Sequence, residues 1–331
     1  MIDFNQLKNI LLGNNSFLIT THVNPDADAI GSEIALYNIL KEIGKNVRII
    51  NHSINPYNLL FLDRENVIEH FSEENHKNVF EEADVIIAID FNHSNRIVRM
   101  EKGFLSSSKL KICIDHHQDL EEVFDYAFID TDYSATGHII YDFIKQSGIV
   151  KLTQETAEPI YAAIMTDTGS FRFERTTPEI HKIAADLLQT GVNPGEVYDK
   201  IYDQSKFSKI KLLGRAVDSM SLFGKDNEIS YMYLTRKDFI ETDAIESDTD
   251  GFVNVCLSVE NVKLGILFLE LKEGFKVSFR SKGFIPVNRL ASEFGGGGHI
   301  NAAGLRIRDG NIEEYVPKIL NRAVEYIKQF G

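Results

Sequence analysis

Apolar runs alternate with amphipathic stretches along the first half of the chain. The apolar runs are short, rich in strand-forming residues, and stand at 17–21, 47–50, 85–89, 110–114 and 126–129. Between the first two runs, Ile30, Ile34 and Leu40 recur at helical spacing, and Gly44 is suited to end that helix. Mostly apolar strands separated by helical patterns are typical of a parallel sheet covered by helices on both faces. The pattern therefore predicts an α/β fold.

The second half of the chain has a different pattern. Asn193 caps a Lys- and Tyr-rich stretch that predicts one helix running toward Arg215. Beyond it, shorter strands and helices predict a smaller α/β domain with a mixed sheet, with strands near 229–235, 263–270, 275–280 and 304–308. We predict a first domain at 1–190, a helical linker at 191–220, a second domain at 221–331, and a cleft between the domains.

Composition and charge narrow the class of protein. Of the 331 residues, 43% are hydrophobic and 25% are charged, as in globular proteins, and no run approaches the ~18 apolar residues that span a bilayer. Cys113 and Cys256 lie in apolar strands, which predicts buried free thiols in a reducing compartment. The net charge of −14 disfavours binding to long duplex nucleic acid. We therefore expect a cytoplasmic protein without membrane association.

A histidine and two aspartates lie where the first strand gives way to the first long helix. Ligands of open α/β sheets bind outside the carboxyl ends of the strands, so His22, Asp26 and Asp28 can supply ligands to two adjacent metal ions. A structural interpretation is equally simple: Asp28 caps the helix, and Asp26 belongs to a proline turn. The stretch alone does not distinguish the two interpretations.

Carboxylates recur at the ends of other predicted elements. Three apolar strands end in an aspartate, namely Asp90, Asp115 and Asp130. His116 and His117 directly follow the second of these. Asp167 ends a predicted helix, where a negative charge opposes the helix dipole. One such aspartate is ordinary turn chemistry, but the repetition favours a functional site at the sheet edge.

The residue types indicate which ions this site would hold. Carboxylates with imidazoles and no cysteine suit manganese, magnesium, iron or cobalt better than structural zinc. Two divalent ions would balance the charges of four aspartates, Asp26, Asp28, Asp90 and Asp167. Two metals ~3.5–4 Å apart can activate water and stabilise an in-line displacement at phosphorus. Asp90, at the end of a central strand, is the natural bridging ligand.

A glycine run, Gly295–Gly298, precedes His299 in the second domain. Such a run lets the backbone approach a ligand and present N–H groups to a phosphate, although a flexible turn is its commoner role. Arg280 and Ser281 lie upstream. An arginine can bind an anionic group through two hydrogen bonds. Together these residues favour a phosphate subsite.

These stretches together resemble the DHH phosphoesterase family, and the resemblance covers nearly the whole chain. His22 to Asp28 matches the first motif, Asp90 the second, Asp115-His116-His117 the third and Asp167 the fourth. Arg280-Ser281 and Gly295 through Gly304 resemble the DHH-associated C-terminal domain. Residues 134–138 match the family's Ser/Thr-rich pattern less well, and we assign their hydroxyls no role.

The resemblance implies a role for each matched residue. One metal is expected at His22, Asp26 and Asp90. The second is expected at Asp28, Asp90, His116 and Asp167. Asp115 would orient its neighbours, and His117 would contact the scissile phosphate or the leaving oxygen. Arg280, Ser281, Gly296, Gly297, Gly298 and His299 would bind the substrate's other phosphate across the cleft.

The resemblance also implies a substrate class. The two-domain layout is most similar to the NrnA-type branch, which degrades very short RNAs and removes the 3′-phosphate of 3′-phosphoadenosine 5′-phosphate (pAp). We therefore expect a hydrolase with two divalent ions, manganese first and magnesium or cobalt next, that acts on short RNA, pAp or dinucleotides. The alternatives are a cyclic-di-AMP and pApA phosphodiesterase of the same family, or a nucleotide sensor without catalysis. A homodimer through a helix of the first domain is compatible with the sequence.

Overall fold

The computed structural model describes residues 2–331. Contacts divide the chain into a first unit that extends to Gln204 and a second unit, Ser205–Gly331. Each unit is built around its own six-stranded sheet. The predicted α/β class, with a parallel sheet in the first part and a mixed sheet in the second, is confirmed.

The sheet of the first unit is parallel throughout. Its strands are β1 (Ser16–Thr21), β2 (Asn46–Asn51), β3 (Ile68–His70), β4 (Val85–Ile89), β5 (Leu110–Asp115) and β6 (Tyr126–Ile129). Their spatial order is β3-β2-β1-β4-β5-β6. The strand order reverses between β1 and β4, and such a switch point leaves a crevice at the carboxyl ends of the two strands.

Eight helices belong to the first unit. They are α1 (Phe4–Gly13), α2 (Ala27–Glu42), α3 (Val79–Glu82), α4 (Glu101–Ser106), α5 (Thr136–Ser147), α6 (Gln154–Asp167), α7 (Pro178–Leu188) and α8 (Pro194–Tyr202). Short 3₁₀ segments occupy Tyr57–Leu59 and Ser94–Met100. The polar stretch from Asn51 to Glu82, where the sequence predicts no clear boundaries, holds the short elements β3 and α3.

Helices α2, α5 and α6 pack unusually closely. A Cβ on Gly31 of α2 would lie 2.4 Å from the Pro159 carbonyl oxygen of α6, and one on Gly137 of α5 would lie 2.5 Å from the Ala163 Cβ. Only glycine fits at such distances. The close approach brings the start of α2, the start of α5 and the end of α6 to one place.

The predicted single helix from Asn193 toward Arg215 is wrong. Helix α8 ends at Tyr202 and α9 (Phe207–Asp218) begins five residues later. Asp203 leaves helical dihedrals at φ −104° and ψ 17°, and Lys206 is extended at φ −59° and ψ 145°. The break coincides with the boundary between the two units.

The second unit has a mixed sheet in the order β11-β12-β10-β9-β8-β7. Its strands are β7 (Ser221–Phe223), β8 (Ile229–Leu234), β9 (Leu264–Glu270), β10 (Phe275–Ser281), β11 (Gly297–His299) and β12 (Ala302–Ile307). Strands β8 and β9 are parallel, and the other pairs are antiparallel. The helices are α9, α10 (Arg236–Thr242), α11 (Val253–Cys256), α12 (Val287–Ser292) and α13 (Ile312–Phe330).

The glycine run is more ordered than a flexible turn. Gly297 and Gly298 belong to the edge strand β11, which pairs with β12. Gly298 has φ +140°, and a Cβ there would lie 2.5 Å from the Ala302 carbonyl oxygen. Strand pairing therefore requires glycine at position 298, whether or not a ligand binds there.

Two expectations about the chain as a whole can be compared with the structure. Cys113 and Cys256 are both buried and form no disulfide, as predicted, but Cys256 lies at the end of helix α11 and not in a strand. Within residues 2–331, no helix combines the length and apolar character needed to cross a membrane.

Candidate metal centre and substrate-binding residues

The switch point places three predicted residues on neighbouring strands. Thr21 of β1 pairs with Ile89 of β4, and Ile89 pairs with Ile114 of β5. The residues that directly follow these three are His22 after β1, Asp90 after β4 and Asp115 at the end of β5. The sequence predicts carboxylates at strand ends, and the strand order makes these three adjacent.

Asp26, and not Asp28, caps helix α2. Asp26 has an extended backbone, and its Oδ1 accepts hydrogen bonds from the amides of Asp28 at 3.0 Å and Ala29 at 3.1 Å. This arrangement is that of an N-cap. An aspartate of this turn does cap the helix, as the structural interpretation expected, but it is Asp26 and not Asp28. The second carboxylate oxygen of Asp26 takes no part in these two hydrogen bonds.

Asp28 lies inside the first turn of α2 and is 1% exposed. Its two oxygens accept hydrogen bonds from the amides of Thr136 at 2.8 Å and Gly137 at 2.9 Å, at the start of α5. Ala135, the N-cap residue of α5, has no side chain that could do this. Helix N-termini bind acidic groups through such amides, so the start of α5 fixes the Asp28 side chain in position.

Thr136 also contacts Asp90. Its hydroxyl donates to Asp90 Oδ1 at 2.8 Å, and both residues are buried. Asp90 adopts φ +62°, a conformation that aspartate tolerates better than most residues. Sequence reasoning missed Thr136. The signal available was a Thr-Gly pair at a helix start with no capping side chain of its own.

His116 faces three carboxylates with one nitrogen. Its Nε2 lies 3.5 Å from Asp28 Oδ2, 3.6 Å from Asp90 Oδ1 and 3.2 Å from Asp167 Oδ2. Its Nδ1 lies 3.3 Å from the Tyr133 carbonyl oxygen, a contact that favours the ring proton on Nδ1. Nε2 is thus the nitrogen that faces three anionic groups.

His22 repeats this arrangement on the other side of Asp90. Its Nδ1 lies 3.0 Å from the Val23 carbonyl oxygen, and its Nε2 lies 3.4 Å from Asp90 Oδ2. Burial is the largest influence on both imidazoles and lowers the pKa of His22 and of His116. Both rings are thus favoured in the neutral form that binds metals.

Asp115 and His117 form a different kind of pair. His117 Nδ1 lies 2.7 Å from Asp115 Oδ1, and the His116 amide donates to the same oxygen at 2.8 Å. Burial opposes ionisation of Asp115, but these hydrogen bonds and the imidazole charges outweigh it and lower its pKa. Burial also opposes charge on His117, yet Asp115 raises the pKa of His117 overall. This pair favours an imidazolium beside a carboxylate.

The carboxylates of the centre repel one another. Burial raises the pKa of Asp90 well above its ordinary value, and the neighbouring Asp28 and Asp26 raise it further. The pKa of Asp167 is raised in the same way, by burial first and then by Asp28 and Asp26. Protons or cations must offset this charge.

The side chains fit metal ions. Ligand atoms lie within 4.8 Å of one another in three groups, which are His22/Asp26/Asp90, Asp28/His116/Asp167 and Asp90/His116/His117. Asp90 is common to two groups. The Nε2 atoms of His22 and His116 face these carboxylates, and imidazole among carboxylates suits a divalent ion. Hard oxygen ligands with imidazole fit a divalent metal other than structural zinc.

One strand-end aspartate does not join these groups. Asp130 follows β6 at the edge of the sheet, where its Oδ1 accepts from the Asp132 amide at 3.1 Å. This bond is turn chemistry. Its use as a sign of the site was therefore wrong, because the edge strand lies two strands away from β4.

The predicted substrate-binding residues all lie in the second unit. Arg280 of β10 pairs with Ala302 of β12, which pairs with His299 of β11. Gly296 and Gly297 precede His299, and Ser281 follows Arg280. Ser281 is turned to the other face, where its hydroxyl donates to the Ile285 carbonyl at 2.7 Å. Arg280 and His299 thus share one face of the sheet, with a small residue between them.

Comparisons with known proteins agree with this architecture. Residues 16–164 match the DHH family, N-terminal domain, and residues 228–329 match the DHHA1 domain. The bifunctional oligoribonuclease and PAP phosphatase NrnA of Thermus thermophilus is 32% identical over 95% of this chain and 90% of that protein. The protein of the same name from Bacillus subtilis is 29% identical over 88% and 90%.

A solved structure is similar over the full fold. The crystal structure of an exopolyphosphatase-related protein from Bacteroides fragilis is 34% identical, with a TM-score of 0.93, over 98% of this chain and 96% of that one. The chain is thus an α/β phosphoesterase with a DHH and a DHHA1 domain. It belongs to the DHH family.

Proposed function

We propose that this protein is a two-metal phosphoesterase that hydrolyses short oligoribonucleotides to mononucleotides and pAp to AMP. The observation that carries the proposal is the position of Asp90, whose Oδ2 faces His22 and whose Oδ1 faces His116. A carboxylate shared in this way suits two ions held side by side. Relatives named as oligoribonucleases and PAP phosphatases support the substrate class.

The proposed ligands divide between two ions. His22, Asp26 and Asp90 would hold one, and Asp28, Asp90, His116 and Asp167 the other. When bound, such ions activate water and neutralise charge on a phosphate. We propose manganese first, with magnesium or cobalt as substitutes, because the ligand set mixes imidazole with carboxylate. Cytoplasmic location and a homodimer remain predictions from the sequence.

The remaining residues orient substrate and ligands. Asp115 would keep the His117 ring fixed and charged, since its Oδ1 accepts the Nδ1 proton. His117 can then donate from Nε2 to a phosphate or a leaving oxygen. Thr136 would hold Asp90 in one orientation, because a ligand fixed in advance loses less freedom on binding. Arg280, His299 and the Gly296–Gly298 backbone would bind a second phosphate of the substrate.

A substrate panel tests the proposal. The purified full chain with manganese is offered pAp, pApA, cyclic-di-AMP and RNAs of two to twenty-four nucleotides, and kcat/KM is compared. We expect the highest values for dimers to pentamers, with release of mononucleotides, and turnover of pAp. Absence of hydrolysis of pAp, pApA and short RNA would refute the function.

Two other outcomes of this panel would favour a different function. A preference for cyclic-di-AMP over short RNA would favour the cyclic-dinucleotide branch of the family. Tight binding of pApA without turnover, with manganese in excess, would identify a sensor.

A further inference from the structure

One face of the second sheet carries a row of cations. On β10, Phe275, Val277 and Phe279 point into the core, so Lys276, Ser278 and Arg280 lie on the opposite face. The register places Arg306 opposite Lys276, and His299 one strand beyond Arg280. We call Lys276, Arg280 and Arg306, together with the adjoining His299, the cationic strip.

The floor of the strip is made of small residues. Gly304 lies opposite Ser278, and Ala302 lies between Arg280 and His299. At about 3.4 Å per residue, Lys276 lies roughly 14 Å along β10 from Arg280. The two ends of the strip are therefore too far apart for one phosphate. A polynucleotide bound at Arg280 would meet Lys276 and Arg306 only with a further nucleotide unit.

An acidic side chain occupies the far end of the strip. Glu246 Oε1 lies 3.6 Å from Lys276 Nζ, and the same oxygen accepts a hydrogen bond from Arg306 Nη2. The near end of the strip is the end with Arg280 and His299. Burial lowers the pKa of the Arg280 guanidinium there, and the charge of Asp250 partly offsets this shift. Arg280 donates from Nη1 to the Phe279 carbonyl oxygen at 2.9 Å and forms no ion pair within the described residues, whereas both far cations share one carboxylate.

The segment that carries Glu246 is held in place. It is the 3₁₀ turn Glu246–Thr249, in which the buried Asp248 accepts from the Ile245 amide at 2.9 Å. The Thr249 hydroxyl donates to the Glu246 carbonyl at 2.7 Å. None of these bonds uses the Glu246 carboxylate, so that group can be neutralised without loss of the turn.

We propose that Glu246 is a specificity residue that limits the length of RNA the protein prefers, by neutralising Lys276 and Arg306. The inference rests on the proposed hydrolysis of oligoribonucleotides. An RNA long enough to reach the far end meets cations that are already paired and a carboxylate that repels its phosphates. We expect a dinucleotide or pAp, which offers fewer phosphates, to be unaffected.

The test compares Glu246→Gln with Glu241→Gln. Glu241 also pairs with an arginine and a lysine, Arg215 and Lys237, but on the outer helix α10, so its loss changes net charge equally. For Glu246→Gln we expect kcat/KM on ten- and twenty-four-nucleotide RNA to rise about three- to tenfold, with pApA unchanged. For Glu241→Gln we expect neither value to change.

Salt dependence gives a second measurement. Each new cation–phosphate contact steepens the fall of log(1/KM) with log[salt] by about 0.7 on single strands. Glu246→Gln should therefore steepen this slope on long RNA, and adding Arg306→Gln should reverse the gain. If Glu246→Gln still cleaves pApA but leaves the ratio of kcat/KM on long RNA to kcat/KM on short RNA unchanged, the role of Glu246 is refuted and the proposed function is not. If the unaltered protein itself does not cleave pApA, that result would instead count against the proposed function.

Discussion

The metal centre of the first unit and the cationic strip of the second unit handle charge in opposite ways. In the first, carboxylates are gathered in a buried place and held by amides and hydroxyls from other elements. In the second, cations stand on a partly exposed face of the antiparallel strands β10 and β12. Buried like charges demand exact packing and counter-ions, whereas exposed charges are screened and adjust their positions. Substitutions in the two regions should therefore differ in size and kind.

The largest expected effect is at Asp90. Asp90→Asn keeps the side-chain shape and tolerates the positive φ, but it removes the charge shared by two groups. We expect kcat/KM on pApA to fall by more than about 100-fold, the upper end for residues that only orient a ligand.

Asp130→Asn is the matched control, because Asp130 also follows a strand but lies outside the ligand groups. It should keep activity near that of the unaltered protein. Substantial turnover by Asp90→Asn, with retained fold, would mean that the first unit's centre is not organised around a shared carboxylate.

Substitutions of two helix glycines, one in each unit, test how tightly the helices are packed there. Gly31→Ala places a Cβ 2.4 Å from a backbone oxygen, so we expect a loss of about 3 kcal/mol in the free energy of unfolding. Gly214, in α9, has no atom within 4 Å of its Cβ position, so Gly214→Ala should stabilise by about 0.5–1 kcal/mol. Denaturant unfolding measures both. Equal effects would remove the packing difference between the regions.

Glu33 provides a pH test of burial in the first unit. It is fully buried on α2, its Oε2 accepts from Asn51 at 2.8 Å, and burial raises its pKa from 4.5 to about 8. The folded state keeps this proton at pH values where the unfolded chain has lost it. The contribution to stability is therefore present below about pH 4.5 and is lost as pH rises toward 8.

Glu33→Gln should remove this loss. Relative to the unaltered protein, we expect the variant to gain about 2 kcal/mol in unfolding free energy between pH 5 and pH 7. The exposed control Glu241→Gln should show no such relative gain. A difference between Glu33→Gln and the unaltered protein that does not change with pH would show that Glu33 is ionised when buried.

The smallest effect is expected in the strip. Arg280→Lys keeps the charge but not the planar pair of donors, so we expect KM for pApA to rise about tenfold with kcat nearly unchanged. Arg322→Lys, on the exposed face of α13, is the control. A loss in kcat with KM unchanged would place Arg280 with the reacting groups and break the contrast between the regions.

Much of the fold could be predicted from local patterns. The apolar runs and the Gly44 stop depend on neighbouring residues only, and the structure has them where expected. The strand-end positions of His22, Asp90 and Asp115 follow from the same runs. The break after Tyr202 was missed because the sequence there remains amphipathic and polar, without a glycine or proline.

What brings the candidate site together is not local. Thr136 and Asp28 are 108 residues apart, and no periodicity links them. Strand order excludes Asp130 from the centre and makes β1, β4 and β5 neighbours, although an aspartate ends or directly follows each of β4, β5 and β6. The pairing of Glu246 with Lys276 and Arg306 likewise depends on register and on a separate turn.

The sequence by itself determined the types of element, the ligand chemistry and the family resemblance, because each resides in short stretches of neighbouring residues. Only the tertiary structure decided which carboxylates meet, which hydroxyls and amides hold them, and which cations are already paired. The physical reason is that these contacts join residues far apart in the chain. Their distances are set by strand order and by the close packing of helices at Gly31 and Gly137.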